Sequence, residues 1–272
     1  DYLTDVLSDA SVKFIHNCAK NHEPFFLYLA YNAPHNPLQA TQKYLDRFSH
    51  IEKWGRRNYA AMVSAVDDGV GKILKALSDS KIDEETLIFF LSDNGGASNN
   101  SSNNGILREH KGTLFEGGLR VPFALRWAGK IEPGMVYKHP IISLDIMATV
   151  TELADAPISM DRPLDGVNLL PYLLNQKNGS PHDYLFWRKF DRNGIAVRSG
   201  DIKLVADRKF NELGYSVYNT TDDISEKNDI IDLDVDKNEE MLKRHKIWTS
   251  QLKPTAFPTL GNHKWWLKSQ TE

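Results

Sequence analysis

The sequence predicts an α/β fold: a mostly parallel sheet sandwiched by helices, followed by a small C-terminal subdomain of antiparallel α+β character. Three observations predict it. Long stretches with apolar residues at helical spacing alternate with short, wholly apolar runs over residues 1–127, the pattern of strands buried beneath helices. After Pro163 short strand-like segments separated by turn signals take over. A core can form, because 41% of the 272 residues are apolar and 10% are aromatic. That length accommodates one large domain, or one domain with a small appendage.

Tyr2, Val6, Leu7, Ala10, Phe14, Ile15 and Cys18 recur at helical spacing, so residues 3–20 read as an amphipathic helix. Pro24 punctuates, and Phe25-Phe26-Leu27-Tyr28-Leu29-Ala30 reads as a strand buried on both faces. Residues 32–39, with two prolines, form a loop leaving that strand. Tyr59, Met62, Val63, Val66, Val70, Ile73, Leu74 and Leu77 mark a second long helix. Asp83-Glu84-Glu85 makes the turn into a second buried strand over 86–91. By the right-handed crossover rule, the loops 32–39 and 92–96 leave the sheet at the same carboxyl edge, where α/β proteins place their sites.

The segment 92–118 is long, polar and rich in Gly and Asn, which marks a functional or irregular loop. A strand resumes over 121–127 and a helix over 144–154. Strands follow over 183–190, 194–198, 202–206 and 215–218, with Ser199-Gly200-Asp201 as a tight turn. A helix covers 239–252, and the tail carries Trp265-Trp266. The expected domains are residues 1–165 and 166–272.

Charged residues make up 25% of the chain and the formal net charge is −3, with no clustered basic face. That argues against nucleic acid as a partner. No apolar run approaches the length of a membrane span. The single cysteine, Cys18, can form neither an internal disulfide nor a CxxC metal site, and its helix-face neighbours suit a small buried hydrophobe. Sequons begin at Asn99, Asn100, Asn178 and Asn219, and they matter only in a secreted eukaryotic protein. The chain opens at Asp1 directly into a helical pattern, as a segment internal to a longer protein would.

Four places could carry chemistry. Asp93-Asn94-Gly95-Gly96 follows a buried strand, and a carboxylate beside an amide carbonyl offers hard oxygen ligands for Ca²⁺ or Mg²⁺. Taken alone, the same four residues are as well explained by an Asx turn. His35 lies just past the other strand and could bind an anion or protonate a leaving group. A lone loop histidine more often makes backbone contacts. Lys111 heads the glycine-dense run Lys111-Gly112-Thr113-Leu114-Phe115-Glu116-Gly117-Gly118 and could meet a tetrahedral oxyanion, although such glycines also serve an awkward loop. Arg108 and His110 lie where substrate contacts are plausible. A cation, positive side chains and a proton donor at one sheet edge are what hydrolysis of a charged tetrahedral ester requires.

The chain resembles the type I sulfatases, of the alkaline phosphatase superfamily. Residues 24–38, ending in Ala33-Pro34-His35-Asn36-Pro37-Leu38, resemble the segment that ends in the family's sulfate-contacting histidine. Tyr59-Ala60-Ala61-Met62-Val63 through Asp67-Asp68-Gly69-Val70-Gly71 looks like the helix that follows. Leu91-Ser92-Asp93-Asn94-Gly95-Gly96 is similar to the family's metal-binding strand end. Leu107-Arg108, Lys111-Gly112-Thr113 and Glu116-Gly117-Gly118-Leu119-Arg120-Val121-Pro122 match its lysine loop.

The resemblance implies an alkaline phosphatase-like fold, with Asp93 and Asn94 as ligands of Ca²⁺ or Mg²⁺. His35 and Lys111 would contact the sulfate group, one of them assisting departure of the alcohol, and Glu116 would brace the loop. It implies S–O cleavage at a formylglycine hydrate, with a sulfated carbohydrate or an aryl sulfate as substrate. A periplasmic, extracellular or lysosomal setting is the family's. The C/S-x-P/A-x-R motif that yields formylglycine is absent from these residues: Cys18 is followed by Ala19-Lys20-Asn21. The expectation is therefore a truncated sulfatase, inactive by itself. Two rivals stand beside it: a phosphodiesterase or phosphonate hydrolase of the same superfamily, and a non-catalytic domain that binds sulfated glycans.

Overall fold

The computed structural model describes residues 1–159, 161–189, 194–207 and 214–253. In chain order the elements are α1 (Leu3–Asn21), α2 (Gln42–Leu45) with a 3₁₀ turn (Asp46–Phe48), α3 (Trp54–Asp79), β1 (Ile88–Leu91), α4 (Glu116–Leu119), β2 (Phe123–Arg126), α5 (Asp145–Leu153), α6 (Leu170–Leu173), β3 (Leu185–Lys189), β4 (Gly194–Ser199), β5 (Ile202–Ala206), β6 (Ser216–Asn219) and α7 (Val235–Ser250). They form two compact units. One comprises residues 1–103 and 122–135, the other 104–121 and 136–272. Trp265-Trp266 lies outside the described residues.

In the first unit α1 buries Thr4, Ser8, Ser11, Ile15 and Cys18. These positions advance by three and four residues, so they share one helix face. The facing helix α3 buries Asn58, Ala61, Met62, Ala65, Gly69, Ala76 and Leu77. Small residues on both faces let the two axes approach closely. At Gly69 a Cβ would strike Ser8 Oγ and the Tyr31 hydroxyl, which are hydrogen-bonded to each other at 2.8 Å. Below them Ile15, Ala76 and Leu77 form a core joined by Phe25, Leu27 and Ile88. Cys18 is buried and unoxidised, as expected of a small hydrophobe.

The segment 25–30 differs from its expected form. It belongs to neither sheet, and its burial alternates: Phe25, Leu27 and Leu29 are half-buried, while Phe26 and Tyr28 are 64% and 80% exposed. One face packs on α1 and α3 through Phe25 and Leu27, and the other meets no apolar layer among the described residues. β1 pairs antiparallel with β2, from Ile88↔Arg126 to Leu91↔Phe123. The end of β2 is tied to the 83–85 turn by a two-pronged Arg126–Asp83 pair at 2.8 Å and by Trp127 Nε1 donating to the Glu84 carbonyl at 2.9 Å. The α/β class holds. Both hydrogen-bonded sheets of the described residues are antiparallel.

The second unit is built on a four-stranded antiparallel meander in the order β3-β4-β5-β6. Successive side chains of a strand point to opposite faces, and here both faces are covered. Val197, Leu204 and Val217 pack with Met241 of α7. Ala196, Val205 and Tyr218 pack instead with Leu114 and Phe115 of the segment 104–121. The lysine-bearing loop therefore roofs one face of the sheet.

Asp145 organises the start of α5. Its fully buried carboxylate accepts from the backbone N–H of Ile142 at 2.8 Å and of Val167 at 2.9 Å, and from His182 Nε2 at 2.9 Å. Asp145→Ala leaves three part-buried donors without an acceptor. Urea denaturation should show a loss of about 1–3 kcal/mol, the range for leaving a desolvated polar group without its partner, and Asp145→Asn should lose less.

Candidate active site

β1 ends at Leu91, and the chain turns at once. Ser92 Oγ donates to the Asn94 carbonyl at 2.9 Å, and the Ser92 N–H continues the pairing to Pro122 O at 3.3 Å. The turn leaves Asp93 exposed and Asn94 half-buried above a buried Gly95. Asn94 Nδ2 donates to Asp93 Oδ2, so the two side chains lie together. With Nδ2 aimed at the carboxylate, the planar amide turns Asn94 Oδ1 away from Asp93, so the two residues share a direct contact and their remaining oxygens face outward from it.

His35 lies in a turn closed by its own N–H on the Asn32 carbonyl at 2.9 Å. Cis peptide bonds precede Pro34 and Pro37 on either side of it. His35 Nδ1 lies 2.8 Å from the Asn36 carbonyl. A carbonyl only accepts, so Nδ1 carries the proton and Nε2 faces outward as an acceptor, or as a donor once protonated. The next residue links the two loops: Asn36 Nδ2 donates to Asn99 Oδ1 at 3.5 Å. The loops after 25–30 and after β1 thus touch at this one contact, although 25–30 is no strand and the two segments share no sheet edge.

Arg108, His110 and Lys111 belong to the second unit and to one loop. Lys111 and Gly112 are exposed at its tip, while residues 113–118 are buried. His110 Nδ1 donates to the Lys111 carbonyl at 2.9 Å, which stiffens the tip. Arg108 is turned inward. Its guanidinium lies 4.1 Å over the Phe115 ring and donates to the Tyr218 hydroxyl at 3.0 Å and to the Glu226 carbonyl at 2.8 Å. These contacts use Arg108 as part of the loop's foundation.

Beneath the loop is a buried charge cluster. Lys203 Nζ lies 2.8 Å from Glu116 Oε1 and 2.9 Å from Glu226 Oε1, all three residues being nearly inaccessible. The contact with Glu226 Oε1 is an ion pair without hydrogen-bond geometry. Arg198 and Arg120 flank Glu116 at 3.7 Å and 3.4 Å. Gly117 and Gly118 are required here, because a Cβ on either would drive into the backbone carbonyls of Arg108 and Glu109, or of Thr113 and His110. Glu116 therefore braces the loop from below. Lys203 and Glu226 escape a reading of the sequence. The available signal is faint: a lysine inside the apolar strand Ile202-Lys203-Leu204-Val205-Ala206.

Among the described residues no group of three or more His, Cys, Asp or Glu is placed to hold a metal ion. Asp93 and Asn94 supply two hard oxygens, whereas Ca²⁺ takes six to eight. The pair suits part of a cation's shell and does not make a complete site by itself. No helix of the described residues is long and apolar enough to cross a membrane.

The sulfatase family pattern matches residues 1–156. The chain belongs to the sulfatase family. An uncharacterised sulfatase, YdeN, of Escherichia coli (strain K12) is 37% identical over 189 residues, which are 68% of this chain and 33% of that protein. Human steryl-sulfatase is 34% identical over 194 residues, again 68% of this chain and 32% of the relative. The crystal structure of Ps i-CgsB in complex with k-i-k-neocarrahexaose superimposes with a TM-score of 0.90 at 34% identity, over 99% of this chain and 60% of that one. This sulfatase chain thus spans about a third of the length of the curated relatives it matches. It has the sulfatases' alkaline phosphatase-like fold, with the small antiparallel C-terminal part.

The two buried glutamates titrate in opposite directions. Burial raises the Glu226 carboxyl, and Lys203 and the Glu116 N–H offset only part of that. Burial pushes Glu116 the same way, but Lys203, Arg198 and Arg120 outweigh it and leave Glu116 below the ordinary glutamate value. A carboxyl with a raised folded value binds its proton earlier when folded, so its contribution to stability grows as pH falls through that value. Glu226→Gln cannot titrate there. Urea denaturation across pH 7 to 4.5 should show the wild type gaining stability relative to Glu226→Gln as pH falls. A gap moving the other way would contradict the assignment.

Proposed function

We propose that the protein containing this chain hydrolyses a sulfate ester of a sulfated carbohydrate. Family membership supports sulfate ester hydrolysis in general. The observation that carries the choice of a carbohydrate over an aryl sulfate is the likeness, over 99% of the chain, to Ps i-CgsB in complex with k-i-k-neocarrahexaose. In this reading residues 1–165 contribute to the catalytic domain and 166–272 form the C-terminal subdomain.

Each site residue has a role that its surroundings suit. Asp93 and Asn94 hold the cation, Ca²⁺ or Mg²⁺, with further ligands from outside residues 1–272. Such a cation, when bound, would draw electron density from a sulfate oxygen. Lys111 places a point charge on the sulfate group from an exposed loop tip. His35 presents Nε2, fixed by the Nδ1 bond to Asn36. When the S–O bond breaks, the departing alkoxide takes a proton, and protonated His35 or Lys111 supplies it. The nucleophile, a formylglycine in this family, comes from outside these residues, since no C/S-x-P/A-x-R motif occurs within them. Arg108 is committed to the loop's base, and His110, held at the tip through Nδ1, stays a candidate substrate contact.

Two measurements test this. The whole protein should release inorganic sulfate from k-i-k-neocarrahexaose or a related sulfated oligosaccharide, and residues 1–272 alone should release none. Release from a phosphodiester or a phosphonate but from no sulfate ester would favour phosphoryl chemistry. Binding of sulfated glycan without turnover would favour a non-catalytic domain. In the whole protein Lys111→Ala and His35→Ala should each lower kcat about 10²- to 10³-fold, the cost of removing one preorganised donor, with melting temperatures unchanged. Full rates in both variants would remove these residues from the site.

A further inference from the structure

Both stems of the loop that carries Lys111 end on one residue. Arg108 Nη1 donates to the backbone carbonyl of Glu226 at 2.8 Å. The Glu116 N–H donates to Glu226 Oε2 at 2.6 Å. Between those anchors the Gly117 N–H closes on Arg108 O at 2.7 Å, and Thr113 closes on His110 O through its N–H at 3.1 Å and its hydroxyl at 2.9 Å. Glu226 is fully buried, and its backbone holds φ at 52°, a left-handed conformation that a non-glycine residue keeps only when its surroundings impose it. Its carboxylate is held 2.9 Å from Lys203 Nζ, on the sheet face that the loop covers.

We infer that Glu226 is a positioning residue for Lys111: its backbone carbonyl and its carboxylate hold the two stems of the 108–118 loop in register, and Lys203 is the counter-ion that keeps the carboxylate in place. A lysine ammonium rides on a flexible four-carbon stem, so its location is set chiefly by the backbone that carries it. The Glu116 stem cannot shift without taking its N–H from the Glu226 carboxylate and its own carboxylate from Lys203, and each loss is costly. The geometry therefore confines motion to the exposed pair Lys111-Gly112. This bears on catalysis only on the reading above, in which Lys111 contacts the sulfate group. In that case a displacement of about 1 Å at the loop base is expected to cost up to about 100-fold in rate.

A double-mutant cycle in the whole protein separates positioning from general stability. The variants are Glu226→Ala, Glu226→Gln, Lys111→Ala and the double variant Glu226→Ala with Lys111→Ala. The substrate is k-i-k-neocarrahexaose, and sulfate release is followed. Glu226→Ala should lower kcat about 10- to 100-fold when Lys111 is present and have no further effect when Lys111 is already alanine. Glu226→Gln, which keeps an acceptor for the Glu116 N–H, should recover most of the loss. An equal drop in both backgrounds, or no drop in either, would overturn the inference.

Hydrogen exchange gives a readout independent of turnover. In Glu226→Ala the peptide spanning 108–118 should exchange at least about tenfold faster, while β4 and β5 keep their protection. Unchanged protection of that peptide overturns the clamp. If the wild type releases no sulfate, or Lys111→Ala is fully active, the functional reading fails and exchange alone decides the clamp. Should Glu226→Ala not fold, Lys203→Met takes its place in the cycle, with the same pattern expected.

Discussion

A lysine ammonium buried between two glutamate carboxylates governs much of what this chain can do. Lys203, Glu116 and Glu226 are each removed from water, and a charge in that position is tolerable only when its partners are at contact distance. The three belong to β5, to the lysine-bearing loop and to the segment after β6. Satisfying the charges therefore fixes where those segments lie on one another. Apolar packing of Leu114 and Phe115 on Ala196, Val205 and Tyr218 supplies attraction without direction. The ion cluster supplies the direction, because a one-residue slip of the loop would remove Glu116 from Lys203.

This arrangement explains why the loop that carries Lys111 is built so heavily from glycine. The backbone doubles back on itself at Gly117 and Gly118, close enough that no side chain fits against the carbonyls of Arg108, Glu109 and Thr113. The same closeness lets the Gly117 N–H reach Arg108 O. Rigidity at the base and exposure at the tip are thus two results of one packing solution. If Lys111 meets a sulfate group, as proposed above, the loop benefits from both, since donors held in advance need no reorganisation when charge develops.

The first unit solves a different problem. Small residues on α1 and α3 bring the helices together over Gly69, and their lower half carries the apolar side chains that 25–30 and β1 rest on. The two loops that follow those segments then meet through Asn36 and Asn99. Asp93, Asn94 and His35 are all placed just past a segment end, where the backbone is free to turn and the side chains reach solvent. The alternating exposure of Phe25 to Ala30 belongs to the same design: one face rests on the helices, and Phe26 and Tyr28 point away from them.

Helical spacing was enough to locate α1, α3 and α5, and turn chemistry was enough to locate β3 to β6, because both are set by neighbours a few residues away. The family's motifs likewise placed His35, Asp93 and Asn94 in loops just past apolar runs and Lys111 on the glycine-rich loop, since those motifs are local strings. Burial of the 25–30 run was less legible, because an apolar string does not say how many faces will find a partner. Glu226 and the inward turn of Arg108 were not legible at all. Their roles arise from contacts spanning more than a hundred residues, and no local pattern encodes which buried charge will answer another. The sequence by itself determined the long helices, the C-terminal strands and the family, and it offered the candidate chemistry-bearing side chains. Only the tertiary structure decided which charges share a desolvated space, because desolvation is a property of the packed chain and not of any segment of it.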